Sequence, residues 1–303
     1  MTPPARRSPG RRGVPNAAPE DPLPLGAVRL ALPAGPAAGA YPFAVPAVRG
    51  VARLPNGLAF DRPVTCFVGE NGSGKSTLLE GIAAAAGLPT VGAEEVARDP
   101  SLAPARALAR RLTLVRGRPT KLGFFLRAED FFGFARRLAR MRAEHEARLA
   151  ELEAEYAAED RSAYALGLAQ GPERKSLGEM RRRYGEDLDA RSHGESFLTL
   201  FRARLVPRGL FLLDEPEAAL SPQRQLALLA LVKEFVALGA QFVVATHAPI
   251  LLAYPGARLY SFDGPPDVAG GAAAPQATAY EELEHVRLTR DFLANPERFL
   301  RHL

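Results

Sequence analysis

The sequence predicts an α/β fold: a mostly parallel sheet with flanking helices, an N-terminal antiparallel β region ahead of it and a helical insertion within it. Three observations predict this. An apolar run, VTCFVG from Val64 to Gly69, enters a loop of Gly, Asn and Ser, after which a helix opens. From Phe197 onward, apolar strands alternate with helical patterns, the order of a parallel sheet covered by its own crossover helices. Between these halves lies a charged stretch whose apolar residues recur at three- and four-residue steps, the period of an amphipathic helix.

Taken in order, residues 1–25 mix Pro, Gly, Arg and Ala without periodicity. Such a segment cannot bury enough apolar surface to offset the entropy of ordering. A disordered tail is expected there, ahead of one domain over 26–303. From AVRLALP to GLAFDRP, short Val, Leu and Phe runs broken by Pro and Gly read as strands leading into the loop. A helix follows over Ser76 to Ala86.

The insertion spans about 128–190. Phe134, Leu138, Met141, His145, Leu149, Leu152 and Tyr156 share one helical face in its first part. Two readings stand: a helical subdomain packed on the core, or a short two-helix arm that meets a partner. The polar, Gly-containing stretch AQGPERKSLGEMRRRYGEDLDARSHGES predicts loops and a short helix. After it come a helix (FLTLFRARL), a strand (GLFLLD), a helix (PQRQLALLALVKEFVALG), a strand (QFVVAT) and a helix (PILLAY). GPPDVAGGAAAPQA predicts a flexible loop, and TRDFLANPERFLRHL a packed end whose Phe292, Leu293, Phe299, Leu300 and Leu303 share an apolar side.

At 303 residues and 47% hydrophobic, the chain can bury one large core or two modest ones. No apolar run reaches membrane-spanning length and no signal segment opens the chain, so a soluble, cytoplasmic protein is expected. The single Cys66 excludes an intramolecular disulfide and a cysteine-based zinc cluster, and its place in a strand makes it a small buried hydrophobe. The net charge of +5 invites a nucleic-acid partner. Yet lysine occurs only at Lys75, Lys121, Lys175 and Lys233, and part of the excess sits in PPARRSPGRRG, so the charge reflects composition as much as a surface.

Gly69 to Ser76 reads GENGSGKS and fits G-x-x-x-x-G-K-[ST]. Through Gly69, Glu70, Asn71, Gly72, Ser73 and Gly74 the backbone can wrap tightly, so that its N–H groups and the following helix N-terminus face phosphates. Lys75 would reach the β- and γ-phosphates and the Ser76 hydroxyl would ligate Mg2+, with Thr77 completing the binding segment. Chance matches to the pattern lack what flanks this one, a strand before and a helix after. GLFLLDEPEAALSP is an apolar strand ending in adjacent carboxylates. Asp214 would hold Mg2+ through its water shell, and Glu215 would orient and deprotonate an attacking water. The bland alternative is a strand that ends in solvated acids. QFVVATHAPIL delivers Thr246 and His247 to the same sheet edge, where a neutral His247 could hydrogen-bond a γ-phosphate and sense its loss.

Together with SHGES at Ser192 to Ser196, these motifs resemble the ATP-binding-cassette (ABC) ATPases. The variant signature is similar to the soluble branch of that superfamily, which includes chromosome-maintenance, DNA-repair and defence ATPases. Over Tyr41 to Leu303 the chain more closely resembles single-domain AAA/ABC-type bacterial ATPases. The resemblance implies a P-loop NTPase fold of the ABC-ATPase type, ATP and Mg2+ as cofactors, and a head-to-tail homodimer that sandwiches two ATP molecules. Ser192, Gly194 and Glu195 match the signature, while Arg191 and His193 depart from it. In the sandwich, Ser192 and Gly194 of one copy would touch the γ-phosphate bound by the other.

Two further departures matter. Ser221 stands where the family has Asp, and the family's Gln between loop and signature is missing, leaving Glu129 as the candidate contact to Mg2+ or the attacking water. Adenine would stack on Tyr41 or Phe43, unless both are core aromatics. The expectation is an ATP hydrolase that dimerises on ATP, acts through Lys75, Glu215 and His247, and couples to a macromolecular partner. The alternative is the ATP-binding subunit of an ABC transporter, against which stand the signature, Ser221 and the insertion. Nucleic acid is a candidate partner through Arg181 to Arg183, although a solvated arginine face is commoner. A small-molecule kinase would share the loop but not the carboxylate pair, histidine and signature.

Overall fold

The structure, a computed structural model, describes residues 21–91, 103–184, 193–264 and 272–301. The first half runs β1 (Ala27–Leu30), α1 (Pro46–Ala52), β2 (Leu58–Ala59), β3 (Val64–Val68), α2 (Lys75–Ala86), α3 (Ala103–Ala109), β4 (Leu112–Val115) and β5 (Gly123–Arg127). Two long helices follow, α4 (Ala128–Ala158) and α5 (Ala163–Tyr184). The second half is α6 (His193–Arg204), β6 (Leu210–Asp214), α7 (Pro222–Ala237), β7 (Gln241–Ala245), α8 (Pro249–Leu252), β8 (Arg258–Ser261), β9 (Gln276–Ala277), α9 (Glu284–Ala294) and α10 (Pro296–Leu300).

The main sheet has the order β5-β6-β7-β3-β8-β9; its first five strands are parallel and β9 closes it antiparallel to β8. Every residue of β3, β6 and β7 is buried, which explains why those segments read as near-continuous apolar runs, with Thr65, Asp214 and Gln241 the polar residues they contain. Successive side chains feed two cores. Cys66, Phe211 and Phe242 face α6, α7 and α8, whereas Phe67, Leu212 and Val243 face α1, α2 and α3. Burial pushes the Cys66 thiol up to about 12, so it is an inert hydrophobe here. A small antiparallel sheet, β2-β1-β4, covers the α1/α2 side, as the N-terminal β region predicts.

The register levels the strand ends. Asp214 lies opposite both Arg127 and Ala245, Ala245 lies opposite Phe67, and Val68 lies opposite Ser261. The segments that leave β3, β5, β6, β7 and β8 therefore gather at one carboxyl edge, where open α/β sheets bind ligands.

Three expectations need correction. Residues 1–20 of the expected tail lie outside the described residues, but within 21–25 Pro24 and Leu25 are buried. Leu25 is buried, and its backbone N–H and C=O both pair with the buried Gln241 amide at 2.8 Å, so the chain is tied down before β1. Of the polar stretch 169–196, residues 169–184 belong to one 22-residue helix, Ala163–Tyr184, with Pro172 inside it, in place of loops and a short helix, and 193–196 open α6; 185–192 lie outside the described residues. Packing overrides propensity there: buried Gln170 donates from Nε2 to Glu153 Oε1 at 2.9 Å, Glu173 pairs with His145, and Leu152 and Leu177 are buried. Because α4 and α5 pack chiefly on each other, the insertion takes the two-helix form, rooted in the core at Leu138. At the end of the chain, the expected packed helix is held to the core by Leu283 and Val286, while Leu293 is 70% exposed and Leu300 59%. Phe292 meets Phe299 edge-on at 5.7 Å, so these rings cover each other; Leu303 lies outside the described residues. No described helix is long and apolar enough to cross a membrane.

Candidate functional site

The loop between β3 and α2 is shaped by glycine. Gly74 caps α2 with φ +93°, and a Cβ on it would lie 1.8 Å from Val45 Cγ1. Gly72 also has positive φ, +84°. Two outside contacts fix the loop: Ser73 O accepts from Ala47 N at 2.8 Å, and Asp263 Oδ1 accepts from Glu70 N at 2.6 Å. Lys75 is 4% exposed and donates from Nζ to Gly69 O at 2.6 Å, Glu70 O at 2.9 Å and Ser73 Oγ at 3.3 Å. Burial lowers its pKa, while Asp263, Glu215, Asp214 and Glu217 pull it back up.

Ser76, in the first turn of α2, donates from Oγ to Asp214 Oδ1 at 3.0 Å. Burial pushes Asp214 up to about 7, against the Ser76 hydrogen bond and the Arg127 charge. Arg127 sits between Glu80 at 3.3 Å and Asp214 at 4.0 Å. A buried carboxylate so far raised is short of positive charge, and a cation beside it would satisfy it. No group of three or more His, Cys, Asp or Glu side chains suited to a metal occurs among the described residues. Ser76 and Asp214 nevertheless fit Mg2+, which takes one or two protein oxygens and completes its shell with water and phosphate.

Glu215 has φ +48°, a left-handed conformation rare outside Gly and Asn, and its N–H donates to Ala245 O at 2.9 Å. The strand ends abruptly in this way, and a 3-10 turn, Pro216–Ala219, follows. Within that turn Glu217 Oε1 accepts from His247 N at 2.7 Å. Glu217 Oε2 and His247 Nε2 are both buried without a hydrogen-bond partner among the described residues. Thr246 is fully buried, and its hydroxyl accepts from Ala248 N at 3.0 Å.

An open cleft of about 700 Å³ runs along the outer side of the loop, lined by Gly69 to Ser73, His247, Asp263, Glu284 and His285 among others; Lys75, Ser76, Asp214 and Glu215 lie beside it and are not part of its lining. A glycine loop at a helix N-terminus, the buried Lys75 ammonium next to it and a His247 Nε2 without a hydrogen-bond partner among the described residues are donors of the kind a phosphorylated anion would use. ATP fits that donor set.

The structure brings together Gly69, Glu70, Asn71, Gly72, Ser73, Gly74, Lys75, Ser76, Asp214, Glu215 and His247 at one edge of the sheet. Thr77 is beside them, its Oγ1 3.5 Å from the Tyr41 hydroxyl. Tyr41 is 60% exposed, so it is not a core aromatic, whereas Phe43 packs against the core. Glu129 falls in the first turn of α4, next to the Arg127 edge, and Gly194 and Glu195 in the first turn of α6, but their side chains lie outside the described residues. Ser192 lies wholly outside them. Ser221 caps α7 in an exposed position. Arg181 and Arg182 are exposed near the end of α5, and the Arg183 side chain is outside the described set.

Sequence reasoning missed Glu217, Asp263, Arg127, Glu80 and His285. Glu217 stands two residues past Glu215 in the same acidic segment, a signal visible in sequence; the others carry no local pattern and become neighbours only in the fold.

Two stretches match known family profiles. Residues 53–96 match an AAA domain, and residues 196–253 match an AAA domain described as putative AbiEii toxin, Type IV TA system. No curated protein matches the chain in sequence. Among solved structures, the Smc head domain of Pyrococcus furiosus, bound to the C-terminal domain of ScpA, is similar with TM-score 0.39 and 13% identity, covering 78% of this chain and 94% of that one. cbiO1 of Clostridium perfringens, part of the ABC transporter complex cbiONQ, gives TM-score 0.38 and 16% identity over 82% of this chain and 90% of its own. The SMC head domain of Thermotoga maritima gives TM-score 0.37 and 17% identity over 73% and 92%.

Proposed function

We propose that this chain binds Mg-ATP on the Gly69–Ser76 loop and hydrolyses it at the interface of a head-to-tail pair of copies, coupling the cycle to a macromolecular partner. The observation that carries this reading is the 3.0 Å hydrogen bond between Ser76, in the first turn of α2, and Asp214, at the end of β6: the two residues that would hold Mg2+ meet at one point. When bound, Mg2+ would neutralise charge on the phosphate oxygens.

In this reading, Lys75 exchanges its loop carbonyls for phosphate oxygens, and the loop N–H groups hold the rest of the chain of phosphates. The Glu215 carboxylate takes the proton from water as its oxygen attacks the γ-phosphorus, and ADP leaves. His247 donates from Nε2 to the terminal phosphate. Tyr41, exposed beside Thr77, offers the adenine a stacking face. The second half of the site would come from Ser192, Gly194 and Glu195 of another copy. The two-helix arm, projecting from the same domain, is a surface on which a partner could read the nucleotide state.

The test is the solution mass of the Glu215→Gln variant by light scattering, with and without Mg-ATP. The reading expects ATP to be trapped and the mass to double, and Ser192→Arg added to that variant to prevent doubling. Persistent monomer at high concentration with ATP bound would remove the sandwich and leave an ATP site completed by another protein.

A further inference from the structure

We propose that His285 is a second phosphate-reading histidine, carried by α9 to the cleft and acting with His247 to distinguish ATP from ADP. This rests on the ATP-binding reading above.

His285 is the second residue of α9, and the residues on either side of its turn, Leu283 and Val286, are buried in the core. That anchoring directs the imidazole into the cleft that also takes in Gly69 to Ser73, His247 and Asp263. The two imidazole rings stand 6.5 Å apart between centroids, inclined at 66°. Nε2 of each ring is buried without a hydrogen-bond partner among the described residues. Both residues line one polar cleft, and a buried polar atom left unpaired destabilises the fold, so a ligand entering that cleft that reached both ring nitrogens would satisfy them together.

Two imidazoles lining the cleft favour an anion, against the Asp263 and Glu284 carboxylates that line it too. Burial and the nearby His247 hold His285 below the usual histidine range, while Asp263 pulls the other way. Two imidazoles side by side resist sharing positive charge unless an anion lies between them. A terminal phosphate provides such an anion, with several acceptor oxygens to which two ring N–H groups would donate. His247 is set by β7, in the body of the sheet; His285 is set by the last helical segment of the chain. The γ-phosphate would thus be read from two elements that have no sequence proximity, and its loss would release α9.

The experiment is calorimetric titration of the wild type, His285→Ala and His285→Gln with the Mg2+ complexes of AMP-PNP and ADP. His285→Ala should weaken AMP-PNP about tenfold and leave ADP within about twofold, the loss of one hydrogen bond to a charged group. His285→Gln, which keeps an N–H donor near the Nε2 position, should recover part of the difference. Equal weakening of both nucleotides by His285→Ala, or no weakening of either, would overturn the proposal, and His285→Gln decides the matter alone if the alanine variant does not fold. If the wild type itself binds neither nucleotide, the ATP reading fails at its root, an outcome told apart from failure of His285 alone.

Discussion

Ser76 and Asp214, 138 residues apart in sequence, meet through a 3.0 Å hydrogen bond from the serine hydroxyl to Oδ1. Their strands are not neighbours, since β7 runs between β3 and β6. The contact exists because the helix opened by the loop starts beside the level ends of three parallel strands, which brings the Ser76 turn over the end of β6. A pair that the fold must align so closely is sensitive to the charge it encloses.

That charge should show in the pH dependence of stability. Burial raises Asp214 from 3.8 to about 7. Between those values the folded state holds a proton that the unfolded chain has released, so this group contributes stability in acid that falls as pH rises from about 4 to 7. Asp214→Asn removes the loss. Its melting temperature in the absence of nucleotide should match wild type near pH 4 and exceed it at pH 8, by roughly 1 kcal/mol or more in stability, while Mg2+-dependent ATP binding disappears. A variant less stable than wild type at pH 8 would show that the carboxylate is already compensated there.

Gly74 sets a steric limit on the loop. Gly74→Ala puts a methyl 1.8 Å from Val45 Cγ1 at a backbone φ of +93°, so it should destabilise the protein by about 1–3 kcal/mol and abolish nucleotide binding. Adding Val45→Ala relieves the contact but not the backbone strain. The double variant should recover part of the thermal stability lost by Gly74→Ala. Strict additivity of the two losses would show that the contact with Val45 does not limit the site.

The site was legible where its residues are local and its strands fully buried. GENGSGKS, DE after an apolar strand and TH after another all declare themselves, because a strand buried on both faces carries few polar residues, and its charged ones fall at its end. The lower layer of the site was not legible. Asp263 pins the loop 193 residues from Glu70 and Glu217 pins His247 across 30, contacts created by strand order and absent from any spacing. His285 sits in EELEHVRLTR, a polar run that looks like surface helix. Likewise α5 hides its order in polar residues that bond to α4, and the last helices show the reverse case, apolar residues whose spacing suggests a core they do not meet.

The arm offers a test of modularity. Leu152 and Leu177 are buried between α4 and α5 and belong to neither core of the sheet. Replacing both with Ala should cost the helix pair several kcal/mol, about 2–5 for each fully packed leucine. Limited trypsin digestion should then cleave within 128–184 much faster, with nucleotide affinity unchanged within about twofold. A parallel fall in affinity would show that the arm supports the loop as well as projecting from it.

Glu217 separates charge from geometry at the heart of the site. Its Oε1 accepts the His247 backbone N–H at 2.7 Å, and its charge also acts on Lys75. Glu217→Gln keeps an acceptor and removes the charge; Glu217→Ala removes both. Less negative charge near bound phosphates should tighten ATP in either variant. Only alanine frees the His247 segment, leaving a buried N–H unpaired at about 1–3 kcal/mol. Steady-state hydrolysis should therefore fall about tenfold in Glu217→Ala and stay near wild type in Glu217→Gln. If glutamine slows turnover as much as alanine does, the carboxylate acts through its charge, and the hydrogen bond to His247 is incidental to catalysis.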